Sequence, residues 1–205
     1  VPVWELVEPG VSGPEQLICY DTQAQSLVAQ PATGGGGTFT VQWYSNASGP
    51  IAPIAGANGL FYNPGVLTDS TQYLIEYTNT NGCGVVESNT VDINVFPELL
   101  PAAVTGWDGA TLCFYDDINL LGSGIEDYPW LSQQWFAAGT NGAFQELTGF
   151  DALTLSNLPL QETTSLYLES ASIFGCGTVY SDTVTVTVWD NLAPATISTE
   201  AGYDG

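Results

Sequence analysis

Cys19, Cys83, Cys113 and Cys176 are the side chains of this chain best suited to covalent chemistry, and the residues missing around them narrow what that chemistry can be. Lys, Arg and His are absent, so no imidazole or amine stands ready to activate a thiol or a hydroxyl. Cysteines in even number then read as a disulfide framework, for which four allow three connectivities. Two fall in each half of the chain. The simplest pairing is therefore Cys19 with Cys83 and Cys113 with Cys176. Each closed loop of about 65 residues would contribute on the order of 4 kcal/mol by restricting the unfolded chain. The other readings are buried free thiols and, less readily, a zinc site, which lacks both histidine and a close cysteine pair. Disulfides imply an oxidising, extracytoplasmic setting.

Carboxylates are the second source of chemistry. Asp116-Asp117 and Glu126-Asp127 are paired carboxylates, the residue type that in principle hydrolyses glycosides. Adjacent residues of a strand point to opposite faces, however, and neither pair has a counterpart in the other half of the chain. No catalytic residue is assigned, and the chain reads as something other than an enzyme. Calcium is the one cofactor these carboxylates could recruit, through Asp108, Asp116 and Asp117 near the start of the second half. The alternative is a solvated acidic surface, because no Asp-x-Asp-x-Asp loop is present.

The elements that position these residues occur twice. Cys19, Gln42-Trp43-Tyr44, Gly82-Cys83-Gly84 and Thr90–Phe96 are matched by Cys113, Gln134-Trp135-Phe136, Gly175-Cys176-Gly177 and Thr183–Trp189. The offset is 94 residues at the first cysteine, 92 at the tryptophan and 93 at the second cysteine. A tandem duplication with small loop indels follows. Phe39, Val41 and Trp43 alternate with polar residues, as do Tyr73, Ile75 and Tyr77, then Val91, Ile93 and Val95. Leu166 and Leu168, then Val184, Val186 and Val188, repeat the pattern, which is the period of half-buried strands. Gly34 to Gly37, Asn63-Pro64-Gly65, Asn81-Gly82 and Asn141-Gly142 supply turns between them.

About seven short strands per repeat, with tryptophan on a central strand, predict an all-β chain of tandem immunoglobulin-like β-sandwich repeats of about 93 residues. The expected domains are residues 1–97 and 98–190, with 191–205 the start of a third repeat or a linker, since Leu192-Ala193-Pro194 has the form of Leu99-Leu100-Pro101. The chain then reads as a window on a longer array. Trp43 and Trp135 are expected in the cores. Gly-Cys-Gly suits a hairpin tip better than mid-strand, so the disulfide is expected to tie one end of a sandwich instead of crossing its core.

Twenty-two Asp and Glu without a cation give a net charge of −22. Phosphate contacts need Lys or Arg, which excludes nucleic acid as a partner. An anionic membrane surface repels such a chain, and no apolar run reaches the roughly 20 residues of a membrane span. The hydrophobic fraction of 44% is nonetheless that of a folded protein.

Ile18-Cys19-Tyr20, Pro31-Ala32-Thr33-Gly34-Gly35-Gly36-Gly37-Thr38-Phe39, Val41-Gln42-Trp43-Tyr44, Tyr62-Asn63-Pro64-Gly65, Leu67-Thr68, Cys83-Gly84 and Ser88-Asn89-Thr90-Val91 resemble the repeats of very large Bacteroidota surface proteins, the SprB-like gliding adhesins and their kin. The first repeat is similar from about Gly13 to Pro97. The second lacks the glycine run and the Asn-Pro-Gly turn but keeps Cys113, Gln134-Trp135, Gly175-Cys176-Gly177 and Tyr180-Ser181-Asp182-Thr183-Val184. The resemblance implies a filamentous adhesin on the outside of the outer membrane, exported by type IX secretion and serving gliding motility or attachment. Asp69-Ser70-Thr71 and Asp182-Thr183-Val184 likewise resemble the sequence on which these bacteria place O-glycans, which makes Ser70 and Thr183 candidate sites.

On this reading the segment is a stalk whose partners are neighbouring repeats of the same chain, with surface glycans or other surface proteins beyond them. Two other classes compete. One is a pair of polysaccharide-binding modules using Trp107, Tyr128 and Trp130 as exposed stacking platforms. The other is a subunit of a polymerised fibre or surface layer.

Overall fold

Strand alternation and turn chemistry carry through to the structure, a computed structural model that describes residues 3–107, 109–124 and 128–192. The chain divides into two compact units, Val1–Leu99 and Leu100–Gly205. Among the described residues there is no helix, and so none long and apolar enough to cross a membrane.

In module one, β1 (Ser12–Gly13), β4 (Leu27–Ala29) and β7 (Phe61–Tyr62) form one sheet. The facing sheet orders β2 (Gln16–Ile18), β11 (Val91–Val95), β9 (Thr71–Asn79), β5 (Phe39–Ser45) and β6 (Ala52–Pro53). β2 runs parallel to β11, and the other pairs are antiparallel. β10 (Val85–Glu87) pairs with the C-terminal half of β9 while β11 pairs with its N-terminal half, so the two make one interrupted edge of β9. A short pair, β3 (Thr22–Gln23) with β8 (Val66–Leu67), closes one side.

The inward residues of both sheets make the core. Leu27, Trp43, Ile75, Tyr77, Val91 and Ile93 are fully buried. The Tyr77 hydroxyl donates to the Gln30 carbonyl at 2.6 Å, tying one sheet to the chain leaving the other and satisfying a polar tip that burial would otherwise penalise.

Module two repeats the plan in simpler form. β12 (Ala103–Thr105), β13 (Asp117–Ser123) and β16 (Thr154–Pro159) form one sheet. β15 (Gln145–Glu146), β14 (Leu131–Ala138), β17 (Thr164–Ser172) and β18 (Thr178–Tyr180) form the other, with β19 (Val184–Val186) also on β17. Trp135, Leu155, Leu166, Leu168 and Val186 are its fully buried centre. Leu112 bridges Val188 in parallel, the counterpart of β2 beside β11.

Candidate functional site: the cysteine-bearing ends of the modules

The Gln-Trp pair proves to be architecture. Trp43 and Trp135 are 0% exposed. Their indole Nε1 atoms donate to the carbonyls of Gly59 at 2.8 Å and Ala152 at 2.9 Å. The preceding glutamine points the other way along the strand and clamps the same loop. Gln42 Nε2 donates to Ile54 O at 2.6 Å and Trp43 O at 2.9 Å. Gln134 Nε2 donates to Leu147 O at 2.8 Å and Trp135 O at 3.0 Å. Neither tryptophan is available to stack on a sugar.

The serine of the second shared string is also structural. Ser88 Oγ accepts from the Ile75 amide at 3.1 Å, and Ser181 Oγ accepts from the Leu168 amide at 2.8 Å. Each hydroxyl fills the break between the two half-strands on the edge of the central strand, where a ladder bond would otherwise be missing. Thr183 lies exposed just ahead of β19, and Ser70 is exposed in the loop before β9 with its Oγ accepting from the Val95 amide at 2.9 Å.

The cysteines correct the expected pairing. Cys19 follows β2 and stands level with Phe96, whose amide donates to the Ile18 carbonyl at 2.9 Å. Cys83 sits at the tip of the β9–β10 hairpin, beyond Asn79, at the opposite end of the nine-residue β9. The register places Ile93 opposite Thr71 and Val95 beside Ile18. At about 3.3 Å per residue, Cys19 and Cys83 are separated by more than about 30 Å along the sandwich, whereas a disulfide needs Cα atoms within about 7 Å. Module two has the same layout: Cys113 follows Leu112, which bridges Val188, and Cys176 tips the β17–β18 hairpin. Neither intramodular disulfide can form. Cys19 and Cys176 are disulfide-bonded, while Cys83 and Cys113 are exposed free thiols.

Both kinds of cysteine are held rigidly. Gly82 and Gly84 flank Cys83 at φ 74° and 129°, and Gly175 and Gly177 flank Cys176 at φ 78° and 112°. Only glycine adopts such angles without cost, which is why the tip reads Gly-Cys-Gly. Asn79 Oδ1 accepts from the Asn81 amide at 2.9 Å and fixes the turn leading to Cys83. At the other end, each cysteine opens a tight turn. The Thr22 hydroxyl donates to Cys19 O at 2.6 Å, and the Asp116 amide donates to Cys113 O at 3.1 Å, with Asp116 Oδ2 accepting from the Cys113 amide at 2.9 Å. The residue two past each cysteine is left-handed, Asp21 at φ 54° and Tyr115 at φ 72°. For tyrosine this is a strained geometry, of order 1–3 kcal/mol, kept where the surroundings enforce it.

The calcium candidates are not assembled into a site. Asp116 is engaged with the Cys113 turn, Asp117 is the exposed first residue of β13, and Asp108 lies outside the described residues. Among the described residues no three acidic or cysteine side chains gather to hold a metal ion. Of the expected sugar platforms, Trp107 packs against the second core, and Tyr128 stacks on Trp130 with centroids 5.0 Å apart, all three half-buried. Glu126-Asp127 lie outside the described residues, as do all but the first two residues of the stretch 191–205 expected to start a third repeat or form a linker.

What the sequence did not single out is an aromatic row on the outer face of module two. Phe136 stacks on Tyr167 at 5.1 Å, Phe144 lies 4.8 Å from Tyr167, and Tyr180 meets Tyr167 edge-on at 5.8 Å. The period-two pattern of β14 and β17 carried the signal, since Phe136 and Tyr167 alternate with Trp135 and Leu168.

Residues 8–97, within module one, match a family model described as a domain of unknown function, DUF8696. No curated protein matches the chain. Among solved structures, the crystal structure of Rst D1-D2 superposes with a TM-score of 0.51 at 13% identity, covering 91% of this chain and 100% of that one. Titin domains A168-A170 match at 0.47 and 11%, covering 90% and 68%. Fibronectin(III)-like modules of Clostridium thermocellum CbhA match at 0.34 and 7%, covering 95% and 100%. Together with the sheet order and the buried tryptophans, the first of these likenesses establishes the fold: an all-β chain of tandem immunoglobulin-like modules.

Proposed function

We propose that the chain is a stalk segment of a secreted, cell-surface filamentous adhesin of the SprB-like type, serving attachment or gliding motility, and that it has no catalytic role. The observation that carries this reading is the repetition itself. Two copies of one closed sandwich follow each other, and the residues shared between them, Gln-Trp, Gly-Cys-Gly and the Ser of the strand break, all serve architecture or the module ends. Uncompensated carboxylates add mutual repulsion between surfaces, which keeps such an array from collapsing on itself or on an anionic envelope. Disulfide-bonded Cys19 and Cys176 fit an oxidising location outside the cytoplasm.

Protease shaving of intact cells, with mass mapping of the released peptides, tests the proposal. Recovery of these peptides from the cell exterior, on a chain of many such modules, is the expected result. Their retention inside the shaved cells would overturn it.

A second reading, binding to a neutral polysaccharide, is favoured by the aromatic row of Phe136, Phe144, Tyr167 and Tyr180. Aromatic faces stack on sugar rings without needing a cation. A glycan array probed with the chain and with its Tyr180→Ala variant separates the two: a signal lost in the variant supports binding, and silence from both supports the stalk alone.

A further inference from the structure

The four cysteines are of two kinds, one at each end of a module. Cys19 and Cys113 stand at the end where the last strand leaves, and Cys83 and Cys176 stand at the hairpin tip of the opposite end. One of each kind is disulfide-bonded, and one of each kind is a free, exposed thiol. The two free ones, Cys83 and Cys113, are therefore complementary in kind, and no cysteine of its own module can reach either.

The surroundings of Cys113 suit it to being covered. Tyr115, held left-handed two residues on, is 57% exposed, and Trp189 is 66% exposed. The Trp189 amide donates to Leu112 O at 2.8 Å, which places Trp189 beside the same cysteine. Large aromatics exposed around a fixed thiol are an unfinished surface. The opposite kind of end carries matching apolar groups: Ile173 and Phe174, just before the Cys176 tip, are 62% and 58% exposed, and Val85, just after the Cys83 tip, is 55% exposed.

We propose that Cys83 and Cys113 are intermodular disulfide positions: each bonds a cysteine of the opposite kind on another module of this type, so that the modules of an array are stapled end to end. Cys113 takes the cysteine of a Gly-Cys-Gly tip, and Cys83 takes a cysteine that follows an Ile18- or Leu112-like residue. Each step joins two Sγ atoms and releases two protons and two electrons. A small disulfide such as oxidised glutathione takes both, leaving as two thiols. A staple at each junction would limit bending there, which the stalk reading needs and on which this inference rests.

The test uses the whole chain in a glutathione redox buffer, as Cys83→Ser and Cys113→Ser variants alone and mixed. Each variant keeps one kind of free thiol. The expected result is that the mixture gives covalent heterodimers about tenfold over either homodimer, a preference of about 1.4 kcal/mol, and that the unsubstituted chain grows into longer disulfide-linked multimers. Non-reducing peptide maps would show Cys83 joined to Cys113. The same mixture in denaturant, where module geometry is gone, should couple at random.

Homodimers as abundant as heterodimers in the folded mixture would overturn the proposal. So would thiols that stay free, or a Cys83–Cys113 bond within one monomer. The readout is partner choice between thiols and is independent of where the protein lives. A chain that pairs this way but is retained in the shaved cells would remove the adhesin stalk and keep the staple, and the reverse result would do the opposite.

Discussion

Replacing Gln42 by Leu should destabilise module one by about 2 kcal/mol, and the size follows from the bonds it makes. Gln42 Nε2 donates at 2.6 Å to Ile54 O and at 2.9 Å to Trp43 O. Each carbonyl keeps a backbone partner when the amide is removed: Trp43 O accepts from the Ile54 amide at 2.8 Å, and Ile54 O accepts from the Ala57 amide at 3.2 Å. The longer contact of Nε2 to Ala57 O, 3.5 Å, goes to a carbonyl that also accepts from the Trp43 amide at 2.9 Å, so no orphan is left and the loss is that of two ordinary hydrogen bonds and one weak one, the ordinary ones each worth about 0.5–1.5 kcal/mol net. Leu keeps the volume of the stem and returns a little apolar burial. For a module of this size, about 2 kcal/mol lowers the melting midpoint by roughly 10 °C. Gln134→Leu should do the same to module two, because the partners are equivalent at 2.8 and 3.0 Å. Calorimetry of both single variants and the double variant reads this directly, since each substitution should move one transition and the double variant both. A shift below about 2 °C would mean that water replaces these bonds at no cost, and the glutamine would then be free for another role.

Three further outcomes follow from the same geometry. Burial, then the neighbouring Tyr62 charge, push the Tyr73 phenol up to about 12 against a small opposing hydrogen bond from Thr71, and burial also raises Tyr62 and Tyr77. The folded state holds these protons above the pH near 10 where the unfolded chain loses them, so this stability is full below about pH 10 and falls away towards pH 12. Tyr73→Phe should flatten the decline seen by circular dichroism, and an unchanged slope would remove Tyr73 as its source. Ser181→Ala leaves the buried Leu168 amide without its acceptor at 2.8 Å and should cost about 1–3 kcal/mol in urea unfolding, with Ser181→Thr tolerated better if the hydroxyl is what matters. Non-reducing peptide mapping with a Glu- or Asp-specific protease, needed because trypsin has no Lys or Arg to cut at, should find neither Cys19–Cys83 nor Cys113–Cys176; either peptide pair would refute the strand register.

Duplication, strand period and turn residues were legible because they are local. Alternation at Phe39, Val41 and Trp43 fixes which face is buried whatever sheet the strand joins, and Gly-Cys-Gly demands positive φ at both glycines wherever the hairpin lies. The same is true of charge, since the absence of Lys, Arg and His is fixed by composition before the chain folds and removes the side chains that most often contact phosphate. The aromatic candidates were less well served. Trp107, Tyr128 and Trp130 lie where sequence suggests a loop, but loops fold back on the core or on each other, and only packing reveals it.

Cysteine pairing was beyond local reading. Sequence shows that two cysteines belong to each repeat, and nearness in the repeat suggests that they bond. Whether they can depends on the parallel placement of β2 beside β11 and on the length of β9, which send Cys19 and Cys83 to opposite ends. Strand direction and register are set by nonlocal burial, so they exist only once both sheets close on Trp43 and its neighbours. Strand pattern, duplication and charge could be read before folding, because each is a property of short segments or of composition. The tertiary structure alone decided which thiols can meet, because a disulfide is a constraint of a few ångströms between residues that the chain separates by a whole sandwich.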